Sequence, residues 1–265
     1  MIRPAAPQDA AAIRALWETC FPDEGGFNDH FFAHRFALSD TLLSVEGETL
    51  CAMVQMLPYR LRVAGQMRPI TYIYGACTDP AHRRRGHMAR LLERSFALDR
   101  QAGRVASALI PAEPWLFDFY RPFGYQPFFY LDRRTIARTG QGSLPRRLTK
   151  SDIPQLAALY DRRTPDCRIV REQADWQAQL DLFDALAKGA YGWFEDGQLT
   201  AYAFCWADNA QEALGLTPAQ EQGLLDVLGR DELTVLTAGQ STALGCIKWH
   251  EGHDAPFGYM DLMYN

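Results

Sequence analysis

The stretch RPITYIYGACTDPAHRRRGHMARLLERSFALDRQAG, residues 68–103, constrains the fold more than any other part of the chain. Its first third is rich in β-branched and aromatic residues and reads as a strand. Asp79-Pro80 turns it, and Arg83, Arg84 and Arg85 then crowd against Gly86. Beyond the glycine, Met88, Leu91, Leu92 and Phe96 recur on one helical face, with Arg90, Glu93 and Arg94 directed away. Gly103 reads as the helix stop. A run of arginines is usually a solvated face, but this chain has a formal net charge of -5 and concentrates its positive charge at a strand–turn–helix junction. The first N–H groups of a helix lack intrahelical partners, and the macrodipole adds positive potential there. Strand, glycine turn and helix N-terminus together therefore make an anion site that fits a pyrophosphate.

Neither the G-x-x-x-x-G-K-[ST] spacing nor G-x-G-x-x-G is present. Nucleoside triphosphates and dinucleotides lose ground, and coenzyme A, with its pyrophosphate and 3′-phosphate, gains it.

The chain reads as starting twice. Asp9 precedes Ile13, Leu16 and Trp17, and Asp152 precedes Leu156, Leu159 and Tyr160 at the same offsets. Each set predicts an amphipathic helix with its aspartate placed to cap it. A hairpin follows each, LLSVEGETLCAMVQM turning at Glu46-Gly47 and YGWFEDGQLTAYAFCW turning at Asp196-Gly197. RTGQGSLPRR, residues 138–147, has no periodicity and reads as the boundary between domains 1–137 and 146–265. In the first half, Ala64-Gly65 marks a further turn, RVASALI a strand, PAEPWLFDFYRP a short helix ended by Pro122, and FGYQPFFYLDRRTIA a closing strand. The order β-α-α-β-β-β-α-β-α-β predicts an α/β fold with a mixed sheet flanked by helices.

With these elements in place, GACTDPAHRRRGHMARLLERSFALDRQAG resembles motif A of the GNAT acyl-CoA N-acyltransferases, and PAEPWLFDFYRPFGYQP resembles motif B. Met88 departs from the small residue usual at that point of the phosphate loop, an exchange similar to that of the Eis-like branch with its tandem GNAT-like halves. That branch adds a sterol-carrier-like domain, for which 265 residues leave no room. Over the second half the resemblance is architectural only, implying a degenerate GNAT-like half that binds no CoA.

The resemblance implies an acetyl-CoA-dependent N-acetyltransferase (a transferase of groups other than aminoacyl) moving an acetyl group directly to a primary amine. The backbone of Ala76, Cys77 and Thr78 would pair with the pantetheine arm. Arg84, Arg85, Gly86, His87, Met88 and Ala89 would cradle the pyrophosphate, with Arg83 adding charge and Ala112 and Glu113 touching the pantetheine. Tyr120 would be the acid that protonates the CoA thiolate. The glutamate usual on the central strand is missing from TYIYGACTD, and no base is assigned. In the Eis-like branch the terminal carboxylate reaches the active site, so the tail FGYMDLMYN, read as a strand, supplies one option. The competing reading is a non-catalytic CoA-binding sensor or scaffold.

Other features narrow the field. His30 and His34 stand at i, i+4 and His250 and His253 three apart, but no H-E-x-x-H or nearby cysteine accompanies them, so no metal is expected. Six cysteines lie far apart without a C-x-x-C pair, as free thiols of a reducing cytoplasm do. Cys77 reads as a strand residue rather than a nucleophile. Phe31, Phe32, Trp115 and Phe119 read first as core aromatics. The acidic balance disfavours a nucleic-acid partner. No signal-peptide pattern or span-length apolar run is present, so a cytoplasmic protein without a membrane partner is expected, acting on a small-molecule or protein amine.

Overall fold

The computed structural model describes residues 1–23, 25–252 and 255–262. In chain order the elements of the first half are β1 (Ile2–Pro4), α1 (Ala10–Cys20), α2 (Phe27–His34), β2 (Thr41–Glu46), β3 (Thr49–Val63), β4 (Gln66–Thr78), α3 (His87–Gln101), β5 (Ala106–Leu109), α4 (Leu116–Tyr120) and β6 (Gln126–Ala137). The second half continues with β7 (Arg146–Arg147), α5 (Ile153–Arg163), β8 (Arg168–Val170), α6 (Gln173–Leu186), β9 (Gly189–Glu195), β10 (Gln198–Trp206), β11 (Asn209–Leu214), α7 (Pro218–Leu228), β12 (Glu232–Ala238) and β13 (Thr242–Trp249). The first ten elements follow the order read from the sequence.

The chain packs as two compact units. One comprises Met1–Leu61, Gln66–Pro127 and Gly245–Asp254; the other comprises Arg62–Gly65, Phe128–Leu244 and Ala255–Asn265. The sequence places its division at 138–147, whereas the units change over at Pro127 and each takes a strand from the other half of the chain. In the first unit the sheet order is β1-β2-β3-β4-β5, completed by β13, whose Cys246 to Trp249 run antiparallel to Leu109 to Ala106. In the second unit the order is β7-β9-β10-β11-β12, completed by β6, whose Leu131 to Ala137 run antiparallel to Ala238 to Glu232. Such pairing depends on contacts far apart in sequence, which no local pattern encodes.

In the first unit β4 and β5 are parallel and α3 is the crossover between them. Leu91, Leu92 and Phe96 of α3 pack with Leu42, Val54, Ile73 and Leu109, which sets one core layer. On the other side Trp17 of α1 stacks on Phe31 of α2 with centroids 4.6 Å apart and meets Tyr74 at 5.5 Å. The Trp17 indole N–H donates to the Asn28 carbonyl oxygen at 2.7 Å, which satisfies the one polar atom of that buried ring. Gly75 sits inside β4 at φ +54°, and a Cβ there would lie 2.2 Å from the Trp17 ring. Tyr74 and Gly75 thus both face α1. The alternation slips by one residue, so that Ala76 packs on the α3 layer and Cys77 turns to Cys20 at the end of α1.

The second unit repeats the plan. β11 and β12 are parallel, α7 joins them, and Leu224 and Leu225 pack on Trp193, Ala203, Leu233 and Val235. The opposite layer holds a buried ion pair, Arg171 to Glu212, at 2.6 and 2.7 Å, with the Tyr202 and Tyr259 hydroxyls each donating to the carboxylate at 2.8 Å.

Several local readings change. The first hairpin turns at Gly47-Glu48, with Gly47 at φ +59°, one residue beyond the expected pair. Asp9 and Asp152 do not cap by accepting from their own helices. Each closes a preceding single turn by accepting the N–H of Ala6 or Thr149 at 2.8 Å, and each is held by an arginine six residues upstream. α4 is confined to five residues. The chain around it is exposed, with Trp115 at 64% and Phe119 at 39%, so neither is the core aromatic expected, while Phe31 is fully buried. Among the described residues of the tail, Gly258 meets Phe129 and Tyr259 meets Arg168 in isolated bridges rather than in a strand. His253 and the terminal carboxylate of Asn265 lie outside the described residues. No helix among the described residues is long and apolar enough to cross a membrane.

Candidate active site

The register between β4 and β5 runs from Ile70/Ala106 to Tyr72/Ala108. β5 ends at Leu109 while β4 continues to Thr78, so the two strands part company at the end of the sheet where α3 begins. Ala76, Cys77 and Thr78 lie on this overhanging end of β4. Thr78 O accepts the Arg83 Nε–H at 3.3 Å and the Cys20 thiol at 3.7 Å. Asp79 N–H donates to Cys51 O at 2.9 Å, which pins the strand end to β3.

The arginine turn follows directly. Asp79 accepts the Ala81 N–H at 2.8 Å and closes a single turn, Pro80–His82. Arg84 then adopts a left-handed φ of +63° and Gly86, the residue before α3, a φ of +76°. Arg83, Arg84 and Arg85 are all exposed. Arg85 lies 4.0 Å from Glu46, and Arg84 makes no ion pair among the described residues. No side chain caps α3. Its first backbone N–H groups therefore lack a side-chain cap directly after three exposed arginines, an arrangement that favours an anion by both charge and hydrogen bonding. Met88 and Ala89 are half-buried on the first turn, and the His87 side chain is buried beneath it.

Tyr120, at the end of α4, is buried and packs with Ile73 of β4, Leu109 of β5 and Cys246 of β13. Ile73 and Leu109 follow the last paired positions of β4 and β5, so the phenol belongs to the place where those strands separate. Burial raises its pKa above the ordinary value, which keeps it protonated at neutral pH. Gly124, at φ +89°, ends the turn after α4, and Tyr125 then buries its hydroxyl against Ser107 Oγ at 2.6 Å. Ala112 and Glu113 are exposed in the turn between β5 and α4.

Cys20 was not among the residues the sequence singled out. A hydrogen bond with Cys77, against the opposing effect of burial and supported by the Arg83 charge, lowers its thiol to about 7, while the same bond and burial push Cys77 up. Only the slipped alternation at Gly75 brings these thiols together, and that slip has no sequence signal beyond the glycine itself.

The comparisons with known proteins decide the family. Residues 1–128 match the family model of the acetyltransferase (GNAT) domain. This part of the chain is a GNAT acetyltransferase domain. Acyl transfer in general is the activity that this assignment supports. No curated protein matches the sequence. Among solved structures, a conserved protein of unknown function from Enterococcus faecalis V583, described as a probable N-acyltransferase, superposes with TM-score 0.71 at 16% identity, over 94% of this chain and 70% of that one. A GCN5-related N-acetyltransferase from Anabaena variabilis ATCC 29413 gives 0.70 at 14% identity, over 93% and 72%. Eis1 from Mycobacterium abscessus gives 0.64 at 15% identity, over 94% and 73%. At these identities the likeness is one of fold. The GNAT domain and its structural relatives, the Eis-like tandem arrangement among them, agree with the resemblance carried by the two motifs.

Proposed function

We propose that the protein is an acetyl-CoA-dependent N-acetyltransferase that moves an acetyl group directly from the thioester to a primary amine. The carrying observation is the uncapped N-terminus of α3, directly preceded by exposed Arg83, Arg84 and Arg85, after β4 has run past the end of β5. The loop from Arg84 to Ala89 holds the pyrophosphate. The pantetheine arm lies along Ala76, Cys77 and Thr78 like an added strand, and Ala112 and Glu113 flank it. No metal takes part in the transfer.

The amine nitrogen attacks the carbonyl carbon, the N–C bond forms, and the C–S bond breaks. Tyr120 gives its proton to the departing thiolate, and the proton shed by nitrogen returns through water to the phenolate. A positioned acid of this kind supplies about 10²–10⁴-fold. Exposed Trp115 and Phe119 border the turn that carries Glu113.

Calorimetric titration with acetyl-CoA, followed by thiol release over a panel of small-molecule and protein amines, tests the proposal. Binding with turnover supports it, binding without turnover on any amine supports a CoA-binding sensor instead, and no binding removes both. Tyr120→Phe should keep acetyl-CoA affinity while kcat falls roughly ten- to a thousand-fold. Wild-type turnover in that variant, where chemistry limits the rate, would make Tyr120 a packing residue.

A further inference from the structure

Beneath the first turn of α3 lies a cluster of side chains that acyl transfer does not use, although the His87 backbone belongs to the phosphate loop. His87 is 1% exposed, and its Nδ1 is hydrogen-bonded to Ser44 Oγ of β2 at 2.9 Å. Its Nε2 is buried without a hydrogen-bond partner. Glu46 Oε1, at the end of β2, lies 3.5 Å from that nitrogen. Cys51 of β3 is fully buried nearby, and one donor atom from each of Glu46, Cys51 and His87 falls within 4.8 Å of the other two.

We propose that Glu46, Cys51 and His87 form a binding site for a zinc-like divalent cation, tying the β2–β3 hairpin to the first turn of α3. The inference rests on this geometry and does not require the acyl-transfer reading.

The donor set is the first argument. One thiolate, one imidazole and one carboxylate suit a borderline-soft ion and are a poor set for magnesium or calcium. Metal–ligand lengths of about 2.0–2.3 Å place tetrahedral donors about 3.5 Å apart, which rotation of the exposed Glu46 side chain brings within reach. Orientation is the second. A ligating histidine characteristically donates its other ring N–H to an oxygen, and Ser44 Oγ is in that position. The Arg90 guanidinium, a donor only, also lies 3.2 Å from Nδ1, so metal binding turns it aside, commits Nδ1–H to Ser44 and leaves the Nε2 lone pair pointing into the cluster.

Charge is the third argument. Arg85 lies 4.0 Å from Glu46, and Arg90 lies 3.2 Å from Nδ1 while donating to Arg85 O at 3.0 Å. His82, with Asp79 at 3.4 Å, stacks edge-on to His87 at 6.2 Å. Arg85 and Arg90 are balanced here by Glu46 and Asp79, so a divalent ion needs further negative charge from its own ligands. Binding releases the Cys51 thiol proton to solvent, and the thiolate together with Glu46 then neutralises a divalent ion. A water fills the fourth position.

The test uses the full chain after treatment with a chelator. Cobalt(II) is added as a spectroscopic probe, and zinc affinity is read by competition with a chromophoric chelator. One equivalent of cobalt should produce a sulfur-to-cobalt charge-transfer band and tetrahedral d–d bands that zinc bleaches. Cys51→Ala should abolish the charge-transfer band in a chain whose circular dichroism is native. Glu46→Gln, at an exposed position, should weaken zinc binding roughly tenfold or more while keeping the fold. The site is overturned if one equivalent of cobalt gives no thiolate band, or if the band survives in Cys51→Ala, which would assign it to another cysteine. Unchanged zinc affinity in Glu46→Gln also overturns the three-ligand site, so the proposal stays testable where Cys51→Ala fails to fold.

Discussion

α3 and α7 occupy the same place in two copies of one plan. Each is the crossover between parallel strands, β4 to β5 and β11 to β12. They begin in opposite ways. Gly86 offers α3 no side chain, so its first N–H groups stay open among arginines. At α7 the Thr217 hydroxyl accepts the Gln220 N–H at 3.4 Å, the Gln220 side chain accepts the Thr217 N–H at 2.9 Å, and Pro218 removes a donor altogether. One helix end is left for a ligand to satisfy, and the other is satisfied by its own residues. The two halves therefore share a plan and differ at this turn in whether a side chain caps the helix.

The central strands diverge in a related way. Glu212 of β11 is buried, but Arg171 and two tyrosine hydroxyls take up its carboxylate oxygens. The second half thus keeps a carboxylate on this strand as an internal tie, while the first half has none there and places tyrosines on β4 instead.

The largest effect should come from separating the halves. A chain ending at Arg138 lacks Cys246 to Trp249 and leaves β5 without its antiparallel partner. It should fail to give a cooperative unfolding transition and should aggregate through the uncovered edge. A soluble, cooperatively folded fragment would show that the exchanged strand is dispensable. Next, Glu212→Ala strands the Arg171 charge in the interior and should lower stability by about 3–5 kcal/mol in denaturant titrations. Acetyl-CoA affinity should hold under conditions where the variant remains folded.

Gly86→Asp places a carboxylate beside the phosphate oxygens and strains a left-handed position, so calorimetry should show acetyl-CoA affinity more than tenfold weaker. Thr217→Ala, its counterpart, should leave that affinity alone and lower stability by about 1 kcal/mol. Equal effects at both helix ends would erase the distinction between them. The smallest effect concerns a feature that the halves share. Arg3 is the leading cause that holds the Asp9 carboxyl at about 2, and Arg146 lowers Asp152 in the same way. A depressed folded-state value gives stability that is full above the unfolded value near 3.9 and is lost as pH falls. The Asp9 contribution should disappear between about pH 4 and pH 2, and Asp9→Asn should flatten that part of the acid-unfolding profile.

What could be read beforehand follows from the range of the forces involved. Helix faces, hairpin turns and the Arg83–Gly86 junction are determined by neighbours within a few residues, and they fell where periodicity and turn chemistry placed them, apart from the one-residue shift at Gly47. Strand exchange could not be read, because Cys246 opposite Leu109 is a pairing across more than half the chain. Trp115 was expected in the core from its apolar character alone, which says nothing about whether a neighbouring element covers it. Cys20 beside Cys77, and Cys51 beside His87, depend on where strands and helices meet in space. Histidines close in sequence suggested where a metal might be looked for, and the cluster that forms instead draws on positions 46, 51 and 87.

The exchanged strands also set a schedule for biosynthesis. The first sheet cannot be completed when its own half leaves the ribosome, because the segment that covers β5 is made 137 residues after Leu109. At roughly 5–20 residues per second, that edge waits for about ten seconds. During that interval the nascent chain carries an open strand beside a hydrophobic layer, and a chaperone or the ribosome surface must shield it. Emergence of Cys246 to Trp249 then covers β5, whereas β6 is already made when its partner β12 appears.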